Sequence, residues 1–324
     1  MSVVVVGSAN LDEVHIVESL PSPGETVMSM AEERHGGGKG LNQAVAAARA
    51  GANSTFVASI GDDNAGSFLS DIVEAAAVRG IWMRSAQPTG RATVIRDHDG
   101  ENLIVVSPGA NRLLVDLDDE ARMVVARANV VLLQMETPLA VVAATAALGK
   151  ASGTTVMLNA APPHSLPQFV LDDIDILVVN EHEAAILTCT DRGDGQKGTH
   201  RENLEALLRL VPTVVMTLGA DGAIAGRRTT EGTEITLHGA PTVEVVDTTG
   251  AGDTFCGVLA GELDRGLQLT DAIEVAITAA SLAVGRSGAV SSIPTREQID
   301  HQLDQEPVHP LRSKSPGRPQ RRKM

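Results

Sequence analysis

The sequence predicts an α/β fold in which helices pack on a mostly parallel sheet, with a small separate β-layer beside it. The first observation is that short valine-rich runs alternate with alanine-rich amphipathic stretches, as in repeated strand–helix–strand units. The second is that two segments, about residues 11–35 and 90–107, have strand character without a helix between their strands. The 324 residues, 43% of them hydrophobic, are enough to build a large core.

The chain supports each predicted element in order. Continuous apolar runs such as the valines at 3–6 are typical of parallel strands buried on both faces, and that first run lacks the basic start and cleavage site of a signal peptide. Main-sheet strands are predicted at residues 2–7, 53–60, 129–135, 154–159, 175–179 and 213–218. Helices are predicted at residues 42–50, 64–79, 138–150, 181–189, 201–210, 252–265, 270–285 and 295–304. Capping residues support two of these helices, Asp63 and Asn64 in the second and Thr295 with Gln298 in the last.

The two strand-rich segments outside this alternation predict a lid. Residues 90–107 are expected to form a β-hairpin with its turn at Asp99 and Gly100, because Asp-Gly is a favoured two-residue turn. Together with residues 11–35 they supply four short strands, which would cover one end of the main sheet and exclude water from a reaction there. A purely structural edge layer is the alternative.

Composition argues against several classes of function. The formal net charge of −15 argues against nucleic acid as a partner, and no run of about 18 apolar residues is present to span a membrane. The two cysteines are far apart in sequence, so we expect a cytoplasmic protein with unpaired thiols. Residues 307–324 carry six Lys/Arg and no acids, and we expect them to form a disordered, proline-rich basic tail after a domain of residues 1–306.

The stretch RHGGGKGLNQA, residues 34–44, has the glycine content of a phosphate-binding loop but lacks its chemistry. Gly40 follows Lys39 at the position where a P-loop has the Ser or Thr hydroxyl that binds Mg²⁺. No predicted strand ends directly before the stretch, which also argues against a dinucleotide-binding loop. We therefore expect the glycines to clear space where the lid joins the main domain, so that Lys39 lines a cleft there.

A second glycine-rich stretch, DTTGAGDTF at residues 247–255, predicts an anion-binding site. A helix begins after the Gly-Ala-Gly turn, so unpaired backbone N–H groups and the positive end of the helix dipole face outward there. Gly250 and Gly252 let a ligand approach the backbone closely. Asp253 beside this turn either caps the helix or accepts the proton of a hydroxyl that attacks a phosphoryl group.

These two stretches resemble the signature motifs of the ribokinase-like, phosphofructokinase-B-type carbohydrate kinases. Further segments occur in the family's order, among them GSANLDEV, PGANRLL, VVNEHEA and TLGADGA, and the resemblance covers about residues 3–303. It implies a three-layer α/β/α domain with a β-sheet lid. It also implies ATP-dependent phosphorylation of the primary hydroxyl of a pentose, with D-ribose to D-ribose 5-phosphate as the first choice.

The resemblance implies a role for each matching position. Asp253 is the general base, and the backbone of Gly250, Ala251 and Gly252 is the anion hole. The sugar-binding positions are Asn10, Leu11, Asp12, Gly38, Lys39, Gly40, Leu41, Asn42, Glu136 and Asp253. The nucleotide-binding positions are Asn180, Thr217, Leu218, Gly219, Ala220, Asp221, Gly222, Gly252, Asp253 and Ile277. Ile277 stands where the family often has a histidine, so its contact with adenine would be apolar.

The cofactors that the resemblance implies are Mg²⁺ with ATP and K⁺ as an activating monovalent cation. Glu183, in an N-x-x-E pattern with Asn180, is linked indirectly to Mg²⁺. The positions that match the monovalent-cation site are Asp247, Thr249, Ala283, Arg286, Gly288 and Ser292. The implied partners are ATP, a small sugar and a second copy of the chain that pairs through the lid.

Other interpretations of the sequence stay open. Fructose or 2-deoxyribose differs from ribose by one or two groups, and a sugar phosphate would need cations such as Lys39 and the lid arginines. A nucleoside is disfavoured because neither lid segment contains an aromatic residue. A sugar-binding paralogue without activity is a further alternative, although it would have no need of Asp253 in the anion site. His35, Arg91 and Arg96 are expected to be solvent-exposed.

Overall fold

A computed structural model describes residues 2–98, 100–189, 198–305 and 310–311. It confirms the mixed α/β fold, with a large main sheet and a separate four-stranded sheet. The strands are β1 (Val3–Val6), β2 (Asn10–Ile16), β3 (Ala31–Gly37), β4 (Ser54–Gly61), β5 (Arg79–Ser85), β6 (Gly90–Arg96), β7 (Asn102–Ser107), β8 (Val130–Leu133), β9 (Thr155–Asn159), β10 (Ile176–Asn180), β11 (Thr213–Thr217), β12 (Ala223–Thr229), β13 (Gly232–His238) and β14 (Pro310–Leu311). The helices are α1 (Lys39–Arg49), α2 (Asn64–Ala75), α3 (Asp119–Arg127), α4 (Leu139–Ser152), α5 (Gln168–Leu171), α6 (Glu181–Leu187), α7 (His200–Leu207), α8 (Ala251–Asp264), α9 (Leu269–Val284) and α10 (Arg296–Gln305).

The main sheet has the strand order β14-β13-β12-β11-β10-β9-β8-β1-β4-β5. The strands from β11 to β5 in this order pair in parallel, and β12 to β14 extend the sheet with antiparallel pairing. Because the central strands are parallel, their carboxyl ends share one edge of the sheet, where folds of this class bind ligands.

Helices cover both faces of the main sheet because its central strands are apolar on both sides. In β1, Val3 and Val5 belong to a core that includes side chains of α1, α8 and α9. Val4 and Val6 belong to a second core that includes side chains of α3, α4 and α7. All four valines are at most 1% exposed. The layers are therefore the α/β/α arrangement that the resemblance implies.

The six predicted main-sheet strands are present, but the sequence analysis does not predict β5, β12, β13 or α3. The predicted helix 64–79 is wrong in its last turn, because α2 ends at Ala75 and Ala77 takes a left-handed φ of 57°. The chain then forms β5 at the edge of the sheet, where Arg79 and Arg84 are exposed. Strands near a sheet edge need few apolar residues, so their composition does not distinguish them from loops.

The separate sheet, which we call the lid, has the strand order β3-β2-β6-β7 and confirms four short strands outside the main sheet. The predicted hairpin β6–β7 is present, and Gly100 in its turn donates its N–H to the Asp97 carbonyl. The other residue of the predicted turn, Asp99, lies outside the described residues. All residues of β7 are exposed. The lid is attached next to the carboxyl end of β1, because β2 follows β1 closely and β3 leads into α1.

Of the predicted basic tail, the described residues include Pro310 and Leu311, which pair antiparallel with β13. The rest of residues 307–324 lies outside the described residues, so the disordered tail and the domain boundary stay predictions. Among the helices that the structure describes, none is both long and apolar enough to cross a membrane. Cys189 and Cys256 are free thiols, as predicted.

Candidate active site

The amino end of α8 carries the predicted anion site. Gly250 is the N-cap residue and has a left-handed φ of 74°, a conformation that favours glycine. Asp253 lies in the first turn of the helix and is 7% exposed. Its carboxylate accepts hydrogen bonds from Asn42 Nδ2 and Gln43 Nε2, each at 2.9 Å. Asp253 is therefore not the helix cap, which was the alternative interpretation of its position.

Close packing of α1 on α8 brings these two amide side chains to Asp253. A Cβ atom on Gly257 would lie 2.3 Å from the carbonyl oxygen of Gln43. The helices therefore approach this closely because residue 257 has no side chain. Asn42 and Gln43 lie in the first turns of α1 and extend across this contact.

Lys39 lies among three carboxyl groups at the start of α1. Its backbone N–H donates to Glu136 Oε2 at 3.0 Å. Burial on its own lowers the pKa of Lys39, but the charges of Asp253, Glu136 and Glu183 outweigh burial and raise the pKa, so the ammonium group is charged at neutral pH. Burial also raises the pKa of Asp253, against the lowering effects of Lys39 and the two amides. A raised pKa makes this carboxylate a stronger base than an exposed one.

Two cavities adjoin at Asp253. The first, which we call the lid cavity, has a volume of about 540 Å³ and lies between the lid and the main domain. The second, the central cavity, has a volume of about 230 Å³ and lies at the carboxyl ends of β9 to β11. Lys39, Gly250 and Asp253 line both cavities. The predicted sugar-binding residues that line the lid cavity are Asn10, Asp12, Gly38, Lys39, Asn42, Glu136 and Asp253.

A third cavity of about 340 Å³, the outer cavity, has a mainly apolar lining that includes Phe255, Ile277 and Val284. Thr217, Thr248 and Gly252 line both the outer and the central cavity, so the two adjoin. This arrangement suits a ligand with a flat base and a phosphate chain. The predicted nucleotide-binding residues that line one or both cavities are Asn180, Thr217, Gly219, Ala220, Gly222, Gly252, Asp253 and Ile277.

Some residues in the predicted runs lie outside these linings, namely Leu11, Gly40, Leu41, Leu218 and Asp221. Leu41 is fully buried in the hydrophobic core on one face of the sheet. Gly40 packs against the backbone of Gly7, since a Cβ atom there would lie 2.8 Å from Gly7 Cα. A motif covers consecutive residues, whereas neighbouring side chains of a helix or strand point in different directions.

Asn180 and Glu183 form a capping box at the start of α6, the alternative role that the sequence left open for Asn180. Each backbone N–H donates to the other residue's side chain at 2.8 Å. Both residues also line the central cavity. Burial raises the pKa of Glu183, against the lowering effect of the Asn180 N–H. Within the described chain no three His, Cys, Asp or Glu side chains form a metal-binding group.

Five of the six predicted monovalent-cation positions lie on two adjoining turns, and the sixth, Ala283, is buried in the last turn of α9. Asp247 Oδ1 accepts from the Thr249 N–H at 2.9 Å and from its hydroxyl at 2.6 Å, and Asp247 Oδ2 accepts from the Gly288 N–H at 2.9 Å. Burial acts to raise the pKa of Asp247, but these hydrogen bonds outweigh it and lower the pKa, with a further contribution from Arg96. A carboxylate that stays charged beside turns with backbone carbonyl groups fits a weakly hydrated cation such as K⁺.

Two lid residues that the sequence analysis expects to be solvent-exposed, His35 and Arg96, line the lid cavity. The charge of His35 acts on Asp12, and the charge of Arg96 acts on Asp247. Sequence alone does not reveal this, because which face of a lid strand is covered depends on the domain beneath it.

Asn111 is a buried residue that the sequence analysis does not identify as functional. Its Nδ2 donates to Asn10 Oδ1 at 2.8 Å, and its Oδ1 accepts from the Ala9 N–H at 3.0 Å. Since Asn10 uses its oxygen in this bond, its Nδ2 is the group free to serve as a donor in the lid cavity. Asn111 belongs to the PGANRLL segment of the resemblance, so a signal for it is present in the sequence.

Replacing Asn111 by Ala is expected to raise the KM for sugar by about tenfold, because Asn10 loses the bond that orients its amide. The variant also leaves the buried Ala9 N–H unpaired, so stability should fall by about 1–3 kcal/mol. Steady-state kinetics should show an unchanged KM for ATP. Asn203→Ala, which removes a similarly buried asparagine on α7, is the control and should lower Tm without changing either KM. Equal sugar KM values for the two variants would contradict the role of Asn111.

Asp12 gives the site a dependence on pH. Burial and the charge of Glu136 raise the pKa of Asp12 to about 7, against the lowering effect of His35. The folded protein therefore holds a proton that an unfolded chain, with an aspartate pKa of about 4, has already released. Between these two values the folded state binds more protons, so stability falls as the pH rises from about 4 to about 7.

Replacing Asp12 by Asn is expected to raise the Tm of the sugar-free protein, and to raise it more at pH 8 than at pH 5. The amide does not titrate, so the variant escapes the loss of stability that the wild type suffers across this window. The same variant should bind the sugar more weakly at pH 8, since it lacks a carboxylate acceptor. Thermal unfolding at the two pH values measures the effect, and a Tm gain that does not depend on pH would refute it.

Comparisons with known proteins show the family of the chain. A family model described as pfkB family carbohydrate kinase matches residues 1–296. Ribokinase of Staphylococcus aureus (strain COL) is 35% identical over 305 residues, which cover 92% of this chain and 98% of that protein. The crystal structure of ribokinase from Thermotoga maritima matches with a TM-score of 0.86 at 33% identity, over 94% of this chain and 99% of that one. The structure of Arabidopsis thaliana ribokinase complexed with ribose and ATP matches with a TM-score of 0.84 at 32% identity, over 93% and 98%.

Proposed function

The chain belongs to the pfkB family of carbohydrate kinases, and on that premise we propose that it phosphorylates D-ribose to D-ribose 5-phosphate. The family makes it an ATP-dependent sugar phosphotransferase. The choice of ribose is supported by the similarity of this chain to several ribokinases. The observation that carries the mechanism is the turn from Gly250 to Asp253, which lines both the lid cavity and the central cavity.

The lid cavity holds the sugar in this proposal. Asn10, Asp12 and Glu136 hydrogen-bond the secondary hydroxyls. Asn42 contributes an acceptor, because its Oδ1 is buried and has no hydrogen-bond partner among the described residues. These contacts place the primary hydroxyl beside Asp253, as positioning for an in-line displacement requires.

Asp253 accepts the proton of the primary hydroxyl as its oxygen attacks the γ-phosphorus of ATP. The bond from the γ-phosphorus to the bridging oxygen breaks at the same time, and ADP leaves. Negative charge spreads over the transferring oxygens, and the N–H groups at the start of α8 and the ammonium group of Lys39 stabilise it. Glu183 on the wall of the central cavity would be the indirect partner of a Mg²⁺ ion carried by the nucleotide, and that ion would supply neutralisation of phosphate charge. Asp253 keeps the proton until the sugar phosphate leaves.

The nucleotide occupies the central and outer cavities, with its phosphates toward Gly252 and its base against Ile277. K⁺ is proposed as an activating ion at the turns that carry Asp247 and Gly288. Because this position lies beside Gly250, the ion would steady the anion-binding turn. Activity that is unchanged when K⁺ is replaced by tetramethylammonium would refute this part of the proposal.

The lining of the lid cavity favours a small neutral sugar. Within the described residues no Phe, Trp or Tyr lines it, so a nucleoside base would lack a stacking surface. Arg96 lines the cavity, but it acts on the carboxylate of Asp247, which balances its charge. The cavity therefore does not favour a sugar that already carries a phosphate group over a neutral sugar.

We further propose that the chain forms a homodimer through the lid and acts in the cytoplasm. Strand β7 presents four consecutive apolar residues at positions 103–106, whose exposed fractions range from 47% at Leu103 to 65% at Val105. Met28 and Met30 are also exposed, at 84% and 62%. An open apolar edge strand of this kind pairs readily with another strand. Sedimentation at micromolar concentration tests this part, and a Val105→Lys variant should be monomeric.

A coupled assay for ADP release over a panel of sugars tests the function. We expect D-ribose to give the highest kcat/KM among D-ribose, 2-deoxy-D-ribose, D-fructose, fructose 6-phosphate and adenosine. A higher value for another sugar would replace ribose as the substrate. Absence of sugar-dependent ADP release with every member of a wider panel would refute kinase activity and favour a sugar-binding protein.

A further inference from the structure

Buried amide side chains lie behind Asp253 and belong to none of the roles described so far. Gln43 and Gln134 are both fully buried, and neither lines any of the three cavities. Neither side chain can therefore contact a substrate bound in these cavities. Their hydrogen bonds lead instead to the carboxylate at the centre of the site.

The hydrogen bonds form a chain in which each residue donates to the next, from Gln134 through Gln43 to Asp253. Gln134 Nε2 donates to Gln43 Oε1 at 2.7 Å. Gln43 Nε2 then donates to Asp253 Oδ1 at 2.9 Å and to Asn159 Oδ1 at 3.2 Å. Because Gln134 supplies a donor to the oxygen of Gln43, the Gln43 amide cannot rotate by 180° without placing two donors face to face. Gln43 is thereby fixed with its NH₂ group toward Asp253.

The carboxylate is held at both of its oxygens. Gln43 donates to Oδ1, and Asn42 donates to Oδ2 at 2.9 Å. Two donors from neighbouring positions of α1 fix the plane of the carboxylate as well as its position. A general base needs this control, because proton transfer depends on the direction of the accepting lone pair.

Gln134 anchors this arrangement to the sheet. It follows β8 directly, and Asn159 ends the neighbouring strand β9. Gly7, directly after β1, leaves room for it, since a Cβ atom at residue 7 would lie 1.9 Å from Gln134 Oε1. That oxygen is buried and has no hydrogen-bond partner among the described residues. An apolar side chain at residue 134 would avoid the cost of burying an unpaired oxygen. We therefore attribute the presence of an amide there to the hydrogen bond that it donates to Gln43.

We propose that Gln43 and Gln134 are positioning residues that orient Asp253 for proton abstraction, Gln43 directly and Gln134 only through Gln43. The inference rests on the proposed phosphoryl transfer. The other charged or titratable groups that act on Asp253 or respond to it are Lys39 on α1, Glu136 after β8, Glu183 on α6 and Cys256 on α8. None of these is changed by the variants below.

The test compares kcat for D-ribose and ATP in Gln43→Met, Gln134→Met and the double variant. Methionine keeps the length and volume of glutamine, so packing changes little. We expect Gln43→Met to lower kcat by roughly 100-fold and Gln134→Met by roughly tenfold, because a small misplacement of a reacting group has effects of this size. The double variant should match Gln43→Met alone, since Gln134 acts through Gln43. KM values for both substrates should change little.

The pH profile of kcat provides an independent readout. Loss of the Gln43 donor destabilises the Asp253 carboxylate, which raises its pKa and moves the acid limb of the profile to higher pH. Gln43→Leu removes the donor without adding a titratable group, and should lose at least as much activity as Gln43→Met. This variant also settles the matter if a methionine variant fails to fold.

Thr145→Val is the control, because Thr145 is fully buried on α4 with a hydroxyl that has no partner among the described residues. It should keep wild-type kcat. Multiplicative effects of the two methionine substitutions, an unshifted acid limb or a Gln43→Leu variant with wild-type activity would each overturn the proposal. If the wild type itself shows no ribose-dependent ADP release, the proposed function has failed. If the wild type is active and the glutamine variants match the control, the positioning role alone has failed.

Discussion

Replacing Asp253 by Asn is expected to lower kcat by about three to four orders of magnitude, the upper range for loss of a general base. The amide cannot accept the proton of the sugar hydroxyl. It also directs an NH₂ group at Asn42 or Gln43, both of which are donors at this position. The KM values for ATP and sugar should change by less than about tenfold, because the loss falls on the transition state.

The matched control is Asp264→Asn at the opposite end of the same helix. Asp264 is 5% exposed and accepts a hydrogen bond from Asn129 Nδ2 at 2.8 Å, so it is a buried, paired aspartate outside the site. This variant should keep wild-type kcat. A single-turnover measurement with saturating ATP and ribose reports the chemical step, and a variant of Asp253 that retains the wild-type rate would remove it from the mechanism.

Replacing Lys39 by Met should lower kcat by about two to three orders of magnitude, comparable to the loss of a main electrostatic stabiliser. The positive charge of Lys39 interacts with the carboxyl groups of Asp253, Glu136 and Glu183. Without Lys39 these carboxyl groups repel one another. It also removes the positive charge that lowers the pKa of Asp253. The acid limb of the kcat profile should therefore move to higher pH.

Lys150→Met is the control for loss of a lysine ion pair. Lys150 pairs with Asp175 at 2.5 Å on the surface of the main domain, and exposed pairs contribute at most about 1 kcal/mol. That variant should keep wild-type kcat and its profile between pH 6 and 9. A Lys39→Met enzyme with both properties would show that Lys39 only fills space in the cleft.

The central strands and the glycine-rich turns could be predicted because local sequence determines them. Four consecutive valines in β1 are buried on both faces, and no other element fits that pattern as well. Gly250 takes a left-handed conformation that few other residues adopt. By contrast, β5 lies at the sheet edge, and its arginines resemble those of a loop.

The proposed functional residues also divide into those that local sequence reveals and those that it does not. Asp253 and Lys39 stand out because each lies inside a glycine-rich stretch. Gln43 and Gln134 do not, because their role depends on contacts between positions 210 and 91 residues apart in sequence. In the sequence, Gln43 appears as an ordinary glutamine of a helix. Gln134 appears as a polar residue at the end of an apolar strand. Only the folded arrangement shows that their hydrogen bonds lead to Asp253, the proposed base.

The turn from Gly250 to Asp253, shared by the lid cavity and the central cavity, also has a stereochemical consequence. Under the proposed reaction both substrates lie against the same few residues, so the phosphoryl group passes in a single displacement, no residue of the protein carries it in between, and the configuration at phosphorus is inverted. ADP should therefore not exchange isotope with ATP until a sugar is bound, and the products form only from a ternary complex.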